Sequence, residues 1–159
     1  MNLRLASGAA LAAALLLSMP PQGHAAGNDD TAAIRACVDK YPDDVDAAAR
    51  HCIFALVADP CTMMPANQST AATAECYHRE GKIWDAMLNE NFRALGDDLD
   101  DGQKAKLRDM QRAWIAYRDT TCAFYHDKIR GTMAVAMAAA CVTRETARRA
   151  LLLKLFEGL

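Results

Sequence analysis

The sequence predicts an all-α fold, a small disulfide-stapled bundle of about five helices whose last three helices form the main antiparallel layer. Apolar residues recur at helical spacing in every long segment, and the glycines and prolines fall at the breaks between these segments. No segment alternates apolar and polar residues over a useful length, as a half-buried strand would. The even number of cysteines, six, favours disulfides that hold the helices together.

Two short helices begin the predicted domain. The first covers residues 28–41 and ends before Pro42, because the residue that precedes a proline avoids helical geometry. Asp43 is placed to cap the second helix, which continues to about Val57. The Asp-Pro-Cys run at 59–61 is expected to break the chain there.

The third and fourth helices are longer. Ser69 or Thr70 is placed to cap the third helix, and Gly96 is placed to end it in the left-handed conformation that glycine favours. The fourth helix starts near Asp100, with Gln103 at the spacing of a capping box. Both helices carry a continuous apolar face, which predicts that they pack against the rest of the bundle.

The fourth and fifth helices are predicted to form a hairpin. Gly131 breaks the periodic pattern, and Thr132 is a plausible cap for the fifth helix. Cys122 lies nine residues before the break and Cys141 ten residues after it. Two positions at such distances from a bend face each other across a helical hairpin, so the pair is predicted to form a disulfide between the two helices.

The cysteine spacing favours sequential pairing among the 15 connectivities that six cysteines allow. Each resulting loop is short and should stabilise the fold by about 3 kcal/mol in the chain-entropy model. The alternative is a metal site made from His51, Cys52, Cys76 and His78, but no Cys-x-x-Cys or His-x-x-x-His spacing supports it. The predicted disulfides are Cys37–Cys52, Cys61–Cys76 and Cys122–Cys141.

The N-terminus predicts a cleavable signal peptide over residues 1–25. Arg4 is followed by the uncharged apolar run Ala9–Leu17, and small residues precede a cleavage position after Ala25. The run is too short to span a bilayer, and the first cysteine, Cys37, lies far from the cleavage position. We therefore expect a periplasmic or secreted protein with no lipid or membrane anchor after cleavage, in which residues 26–159 form a single domain.

The composition and motifs favour a non-enzymatic protein. The formal net charge of −2 excludes a generally basic nucleic-acid binder, and loss of Arg4 makes the mature chain more negative. The sequence contains no serine elbow, metal-protease motif or phosphate-binding glycine loop, and nothing marks Glu80 or Glu90 as a catalytic acid. The acidic segment Asp97–Asp101 fails as a calcium loop because Arg108 falls where a glutamate is needed. No cofactor or metal is predicted.

Arg118 falls on the apolar face of the fourth helix, where a guanidinium must be paired or must reach solvent. Asp85, Asp119 and Glu145 are the candidate partners, and Trp114 lies one turn away at stacking distance. The structural interpretation is an arginine–carboxylate bond that fixes helix register, and the functional interpretation is contact with a ligand. We favour the structural one.

The run Trp-Ile-Ala-Tyr-Arg-Asp at 114–119, with Cys122 and Cys141 after it, resembles the LprI-like family of small bacterial envelope proteins. This run, followed by the two hairpin cysteines, is the most specific part of the resemblance, which covers residues 61–153. The family's usual glycine pair at the bend is Arg130-Gly131 here. The matching residues are Cys61, Thr73, Cys76, Trp84, Asp85, Leu88, Asn89, Leu107, Gln111, Arg112, Ala113, Trp114, Ile115, Tyr117, Arg118, Asp119, Cys122, Cys141, Thr146 and Arg149.

Of the matched residues, Trp84 and Trp114 are central on their helices, and we assign both to the core. The family is named after a lysozyme-inhibiting lipoprotein, so the resemblance implies a periplasmic binding protein whose partner is a lysozyme. The alternative is a structural or adaptor module that binds another protein of the cell envelope. Three surfaces could make the contact: the acidic loop Asp97–Asp101, the loop Cys61–Gln68, and the hairpin bend with His126, Lys128 and Arg130.

Overall fold

The computed structural model describes residues 25–159, so the predicted signal peptide, apart from Ala25, lies outside the described residues. The described part is all-α, with no strand between residues 25 and 159, which confirms the predicted fold class. No helix within this range is both long and apolar enough to cross a membrane. The helices are α1 (Ala25–Val38), α2 (Val45–Cys52), α3 (Ala58–Thr62), α4 (Thr70–Asp97), α5 (Asp101–Ile129) and α6 (Met133–Glu157), with a 3-10 turn at Pro65–Asn67.

The three long helices form the main layer, as predicted, and α6 is its central member. α6 packs along α4 and also against α5, whereas α4 and α5 contact each other little. The Oγ1 of Thr143 donates a hydrogen bond of 2.9 Å to the carbonyl of Tyr77, and the Nδ2 of Asn91 donates one of 2.9 Å to the carbonyl of Ala150. These bonds show that α4 and α6 run parallel, so α5 runs antiparallel to both.

Close approach of α4 and α6 depends on small residues. A Cβ atom built on Gly81 would lie 2.7 Å from the Oγ1 of Thr143, closer than any real Cβ contact. The facing side of α6 is rich in buried alanine. The short helices α1 and α2 cover the same layer, and the fully buried side chains of Ile34, Trp84 and Leu153 meet in the core between them.

The N-terminal helices differ in detail from the prediction. Asp44, not Asp43, caps α2, because its side chain accepts a hydrogen bond from the N–H of Ala47 at 2.8 Å. The Asp-Pro-Cys run at 59–61 does not break the chain but lies inside α3, which raises the number of α-helices to six among the described residues. Pro60 is tolerated there because it occupies the first turn, where no intrahelical N–H bond is needed.

The ends of the long helices confirm three predicted caps or breaks and correct two. Ser69 caps α4, the capping box of Asp100 with Gln103 starts α5, and the α5–α6 break falls at Gly131. Gly96, however, is helical and does not end α4 in a left-handed conformation. Arg130 takes the left-handed position at the bend instead, with φ 50° and ψ 41°. The side chain of Thr132 makes no capping bond at the start of α6.

Candidate functional site

The three predicted disulfides are all present, with Cα–Cα distances of 5.8, 5.6 and 5.5 Å in sequence order. They leave no free cysteine in the described part of the chain, so no thiol is available there as a nucleophile. The proposed metal alternative fails because both of its cysteines are bridged, and residues 25–159 contain no cluster of metal-binding side chains.

Arg118 pairs with its chain neighbour Asp119. Its Nη2 lies 2.7 Å from a carboxylate oxygen of Asp119, and its guanidinium carbon lies 4.9 Å from the centre of the Trp114 ring. The Arg118 side chain is 20% exposed and that of Asp119 58% exposed, so the pair sits at the rim of the core. Of the other two candidate partners, Asp85 makes no ion pair with Arg118, and Glu145 approaches two other arginines instead.

A second arginine completes the cluster around Trp114. Arg149 on α6 is buried, and its guanidinium carbon lies 5.7 Å from the Trp114 ring centre. The Nε of Arg149 donates a 2.9 Å hydrogen bond to Gln111, while its Nη2 has no partner among the described residues. Burial lowers the pKa of Arg149 from its ordinary value. Trp114 is partly buried and packs against the core cluster, whereas Trp84 is fully buried as predicted.

An open groove of about 500 Å³ lies between α4 and α5, with α6 as its floor. Asp85 on α4 and Arg118 on α5 both line it, so the structure brings these two matched residues to one surface without joining them. The groove is open to solvent and carries side chains of both signs of charge. Its other lining residues are Glu75, His78, Gly81, Lys82, Val142, Thr143 and Thr146.

Glu80 is the structural residue that the sequence did not reveal. It is fully buried, and its carboxylate accepts hydrogen bonds from the N–H of Phe54 at 2.7 Å, the N–H of Ala58 at 2.9 Å and the indole N–H of Trp84 at 2.8 Å. Glu80 therefore accepts a hydrogen bond from a backbone N–H at the start of α3 that has no partner within the helix, and it joins the N-terminal segment to α4. Its spacing of four residues from Trp84 was the available clue, because such pairs share a helix face.

Glu90, which the sequence also left without a role, forms a surface ion pair. Its carboxylate lies 2.5 Å from the Nη2 of Arg35 on α1. This hydrogen bond is the main cause that lowers the pKa of Glu90, and the positive charge of Arg35 adds to the effect. Both glutamates therefore have defined structural partners.

The loop Cys61–Gln68 is held rigid by its own polar groups as well as by the Cys61–Cys76 disulfide. The Nδ2 of Asn67 donates a 2.9 Å hydrogen bond to the carbonyl of Cys61, and the Nε2 of Gln68 donates one of 3.0 Å to the carbonyl of Thr62. Met63 and Met64 stand at its surface and are 75% and 51% exposed. The loop is thus a fixed protrusion with an apolar tip.

The α5–α6 bend is a second apolar protrusion, held by Cys122–Cys141. Its exposed apolar side chains are Phe124, Met133, Val135 and Met137. Because Tyr77 bonds to Thr143, each within a few turns of its helix start, the beginnings of α4 and α6 lie at the same end of the layer. We call this end, made of the loop Cys61–Gln68 and the bend 124–137, the clamped end.

The acidic loop lies at the opposite end of the layer, at the α4–α5 turn. Asp97, Asp98, Asp100 and Asp101 are all exposed, and the side chain of Asp100 is committed to the capping box. The basic residues of the bend, His126, Lys128 and Arg130, are exposed at the clamped end. The three candidate contact surfaces therefore divide between two ends, two of them at the clamped end and the acidic one away from it.

Comparison with known proteins identifies the family. No curated protein and no solved structure gave a significant match to the chain. Residues 61–153 match the family model described as lysozyme inhibitor LprI. The match spans more than half of the chain. The matched region contains α4 and α5, most of α6, and two of the three disulfides. The chain therefore belongs to the LprI family of lysozyme inhibitors.

Proposed function

We propose that this protein is a non-enzymatic binding protein of lysozyme-inhibitor type, which acts in the periplasm or outside the cell by covering the cleft of a lysozyme. The match of residues 61–153 to the LprI family model is the observation that carries the proposal. An inhibitor of this kind needs a rigid surface complementary to a cleft and no catalytic residue of its own.

Family membership and the three disulfides together indicate an extracytoplasmic protein. Disulfides persist in oxidising compartments and are rare in the reducing cytoplasm. The substrate of a lysozyme is also a cell-wall polymer, so partner and inhibitor would meet in the same compartment. A cleaved signal peptide over residues 1–25 remains part of the proposal.

We propose the clamped end as the surface that contacts the lysozyme. Six of the ten large apolar side chains that are exposed in residues 27–159 lie there, which singles out this end of the layer over the other. Concentrated exposed apolar surface marks a site of protein association in a soluble protein. Disulfides hold both protrusions, so little conformational entropy is lost when they bind.

The charge distribution suits a cationic enzyme with acidic groups in its cleft. The chain has a formal net charge of −2, which favours the approach of a cationic partner. At the clamped end the local charge is different, because Lys128 and Arg130 are exposed beside the bend. Glycosidases of this class carry a pair of carboxyl groups in the cleft, and cations at the bend would face them.

The direct test is titration of the purified, oxidised protein into a lysozyme turnover assay at physiological salt. Stoichiometric inhibition is the expected result. Met63→Glu and Met133→Glu should each weaken inhibition, because they place a charge in the apolar contact. Leu159→Glu is the matched control, since this residue is 93% exposed and lies beyond the α6 end remote from the bend.

Absence of inhibition across several types of lysozyme would contradict the proposal. The alternative, an adaptor that binds another envelope protein, would then be tested by capture from a periplasmic extract, with the same Met63→Glu and Met133→Glu variants as probes. If the Leu159→Glu control weakened inhibition as much as these variants, the clamped end would not be the contact surface.

A further inference from the structure

A basic cavity of about 380 Å³ lies between α2 and α6. Arg50 on α2 and both Arg144 and Arg148 on α6 line it, and Asp46 is the only carboxylate among its lining residues. The rest of the wall is apolar and includes Phe54. One side of the cavity comes from the segment that precedes residue 61, so it is built partly outside the region that matches the family model.

The three guanidiniums of this cavity are largely uncommitted. Six other arginines of the described chain donate side-chain hydrogen bonds within the protein, and these three donate none to any described residue. Arg50 forms no ion pair with any residue between 25 and 159. Arg144 and Arg148 approach only Glu145, at 3.8 and 4.0 Å, the outer limit of an ion pair. These three arginines therefore line one cavity with no strong partner among the described residues, and guanidiniums in this state can bind an added anion.

Phe54 gives the cavity a fixed aromatic wall. Its φ of 71° is uncommon for a bulky side chain, and its N–H is held in place by the buried carboxylate of Glu80. The Phe54 ring packs edge-on against Tyr77, with 5.1 Å between ring centres. Just before it, the Cys37–Cys52 disulfide ties the end of α2 to α1. The aromatic wall is therefore positioned before any ligand arrives.

We propose that this cavity binds a small anionic ligand in which a carboxylate or phosphate group is attached to a ring with an apolar face. The planar guanidinium matches the oxygens of either anion in a bidentate arrangement. The face of the ring would pack against Phe54, and the volume falls within the range of small-molecule sites. Sugar acids and sugar phosphates both have this chemistry. The cavity shares no residue with the clamped end, so this binding is separate from lysozyme inhibition.

The test is calorimetric titration of the oxidised protein with glucuronate, glucose 6-phosphate, inorganic phosphate and neutral glucose. Both sugar anions should bind at least about tenfold more tightly than inorganic phosphate, and glucose should give no binding. The tighter of the two sugar anions identifies the preferred source of the charged group. The double variant Arg144→Gln/Arg148→Gln should lower the affinity for that ligand by at least about tenfold, because it removes two charged donors.

Two further variants keep the proposal falsifiable. Phe54→Leu keeps a bulky side chain at this positive-φ position but removes the aromatic ring. It should weaken the binding of the sugar anions and leave the binding of inorganic phosphate unchanged. Arg108→Gln is the matched control, because Arg108 on α5 is also exposed, donates no hydrogen bond to a described residue and lies outside the cavity. Equal losses in Arg108→Gln and in the double variant would overturn the proposal, as would equal binding of glucose. Failure of both sugar anions to bind up to about 10 mM would overturn it too.

Discussion

Replacement of Glu80 tests whether a single buried carboxylate joins the N-terminal segment to the long helices. Glu80→Leu fills similar space but leaves three donors without an acceptor: the part-buried N–H of Phe54, and the buried N–H of Ala58 and indole N–H of Trp84. Each stranded donor costs about 1–3 kcal/mol. Loss of the buried charge offsets part of this cost, because the variant no longer bears the desolvation penalty of a buried carboxylate.

The stranded donors outweigh the relieved desolvation, so we expect a net loss of about 2–4 kcal/mol in the free energy of unfolding. Glu80→Gln should lose about half as much, since its one remaining oxygen can still accept from part of the set. Denaturant unfolding followed by circular dichroism measures both values. Glu90→Gln is the control on the same helix, and removal of its surface ion pair with Arg35 should cost at most about 1 kcal/mol.

The change in Glu80→Leu should also be local. Phe54 has a positive φ and its N–H is bonded to Glu80, so we expect the segment 53–58 to relax when the carboxylate is lost. Hydrogen exchange at the amides of Phe54 and Ala58 should accelerate well beyond exchange in α4. Unchanged protection of these two amides, or a loss of stability no greater than that of Glu90→Gln, would refute the reasoning.

Three other substitutions test the packing of the long helices. Gly81→Ala should destabilise by about 1–2 kcal/mol, because overpacking against Thr143 exceeds the usual gain in helix propensity, and additivity with Thr143→Ala in unfolding experiments would contradict this contact. Replacement of Cys122 and Cys141 by serine should cost about 3 kcal/mol and raise hydrogen exchange mainly in the second half of α5, so uniform loss of protection would argue against a local clamp. Arg118→Met should change stability by at most about 1 kcal/mol, since the carboxylate that it pairs with is exposed; a loss above 3 kcal/mol in denaturant unfolding would indicate a buried partner instead.

The long helices and the disulfides were predictable because their determinants are local. The capping box of Asp100 with Gln103 and the short spacing between paired cysteines are readable along the chain, and the structure contains both. The position of α5 was not predictable in the same way. Its apolar face predicted packing against the rest of the bundle, but only Leu107 and Cys122 are buried on it. The alanine-rich α6 takes the central place beside α4, and periodicity cannot tell which helix of three is in the middle.

The polar residues were harder to predict than the apolar ones. Arg118 was expected to have a carboxylate partner, but the choice between a neighbour in sequence and one on another helix depends on side-chain rotamers that no pattern encodes. The burial of Glu80 was not predicted, because glutamate is almost never fully buried. The burial of Glu80 is offset by hydrogen bonds from donors in two separate segments. These donors come together only after the chain has folded.

The contacts of Glu80 also show why the region that matches the family model depends on the segment before it. Glu80 and Trp84 belong to the matched region, but two of the three donors to Glu80 come from residues 54 and 58, which precede it. The core cluster around Trp84 likewise includes Ile34 and Val57. Without that segment a carboxylate and an indole ring would face water on the side that is now buried. The N-terminal segment therefore packs against the matched region and completes the burial of Glu80 and Trp84, and the basic cavity between α2 and α6 is a consequence of this packing.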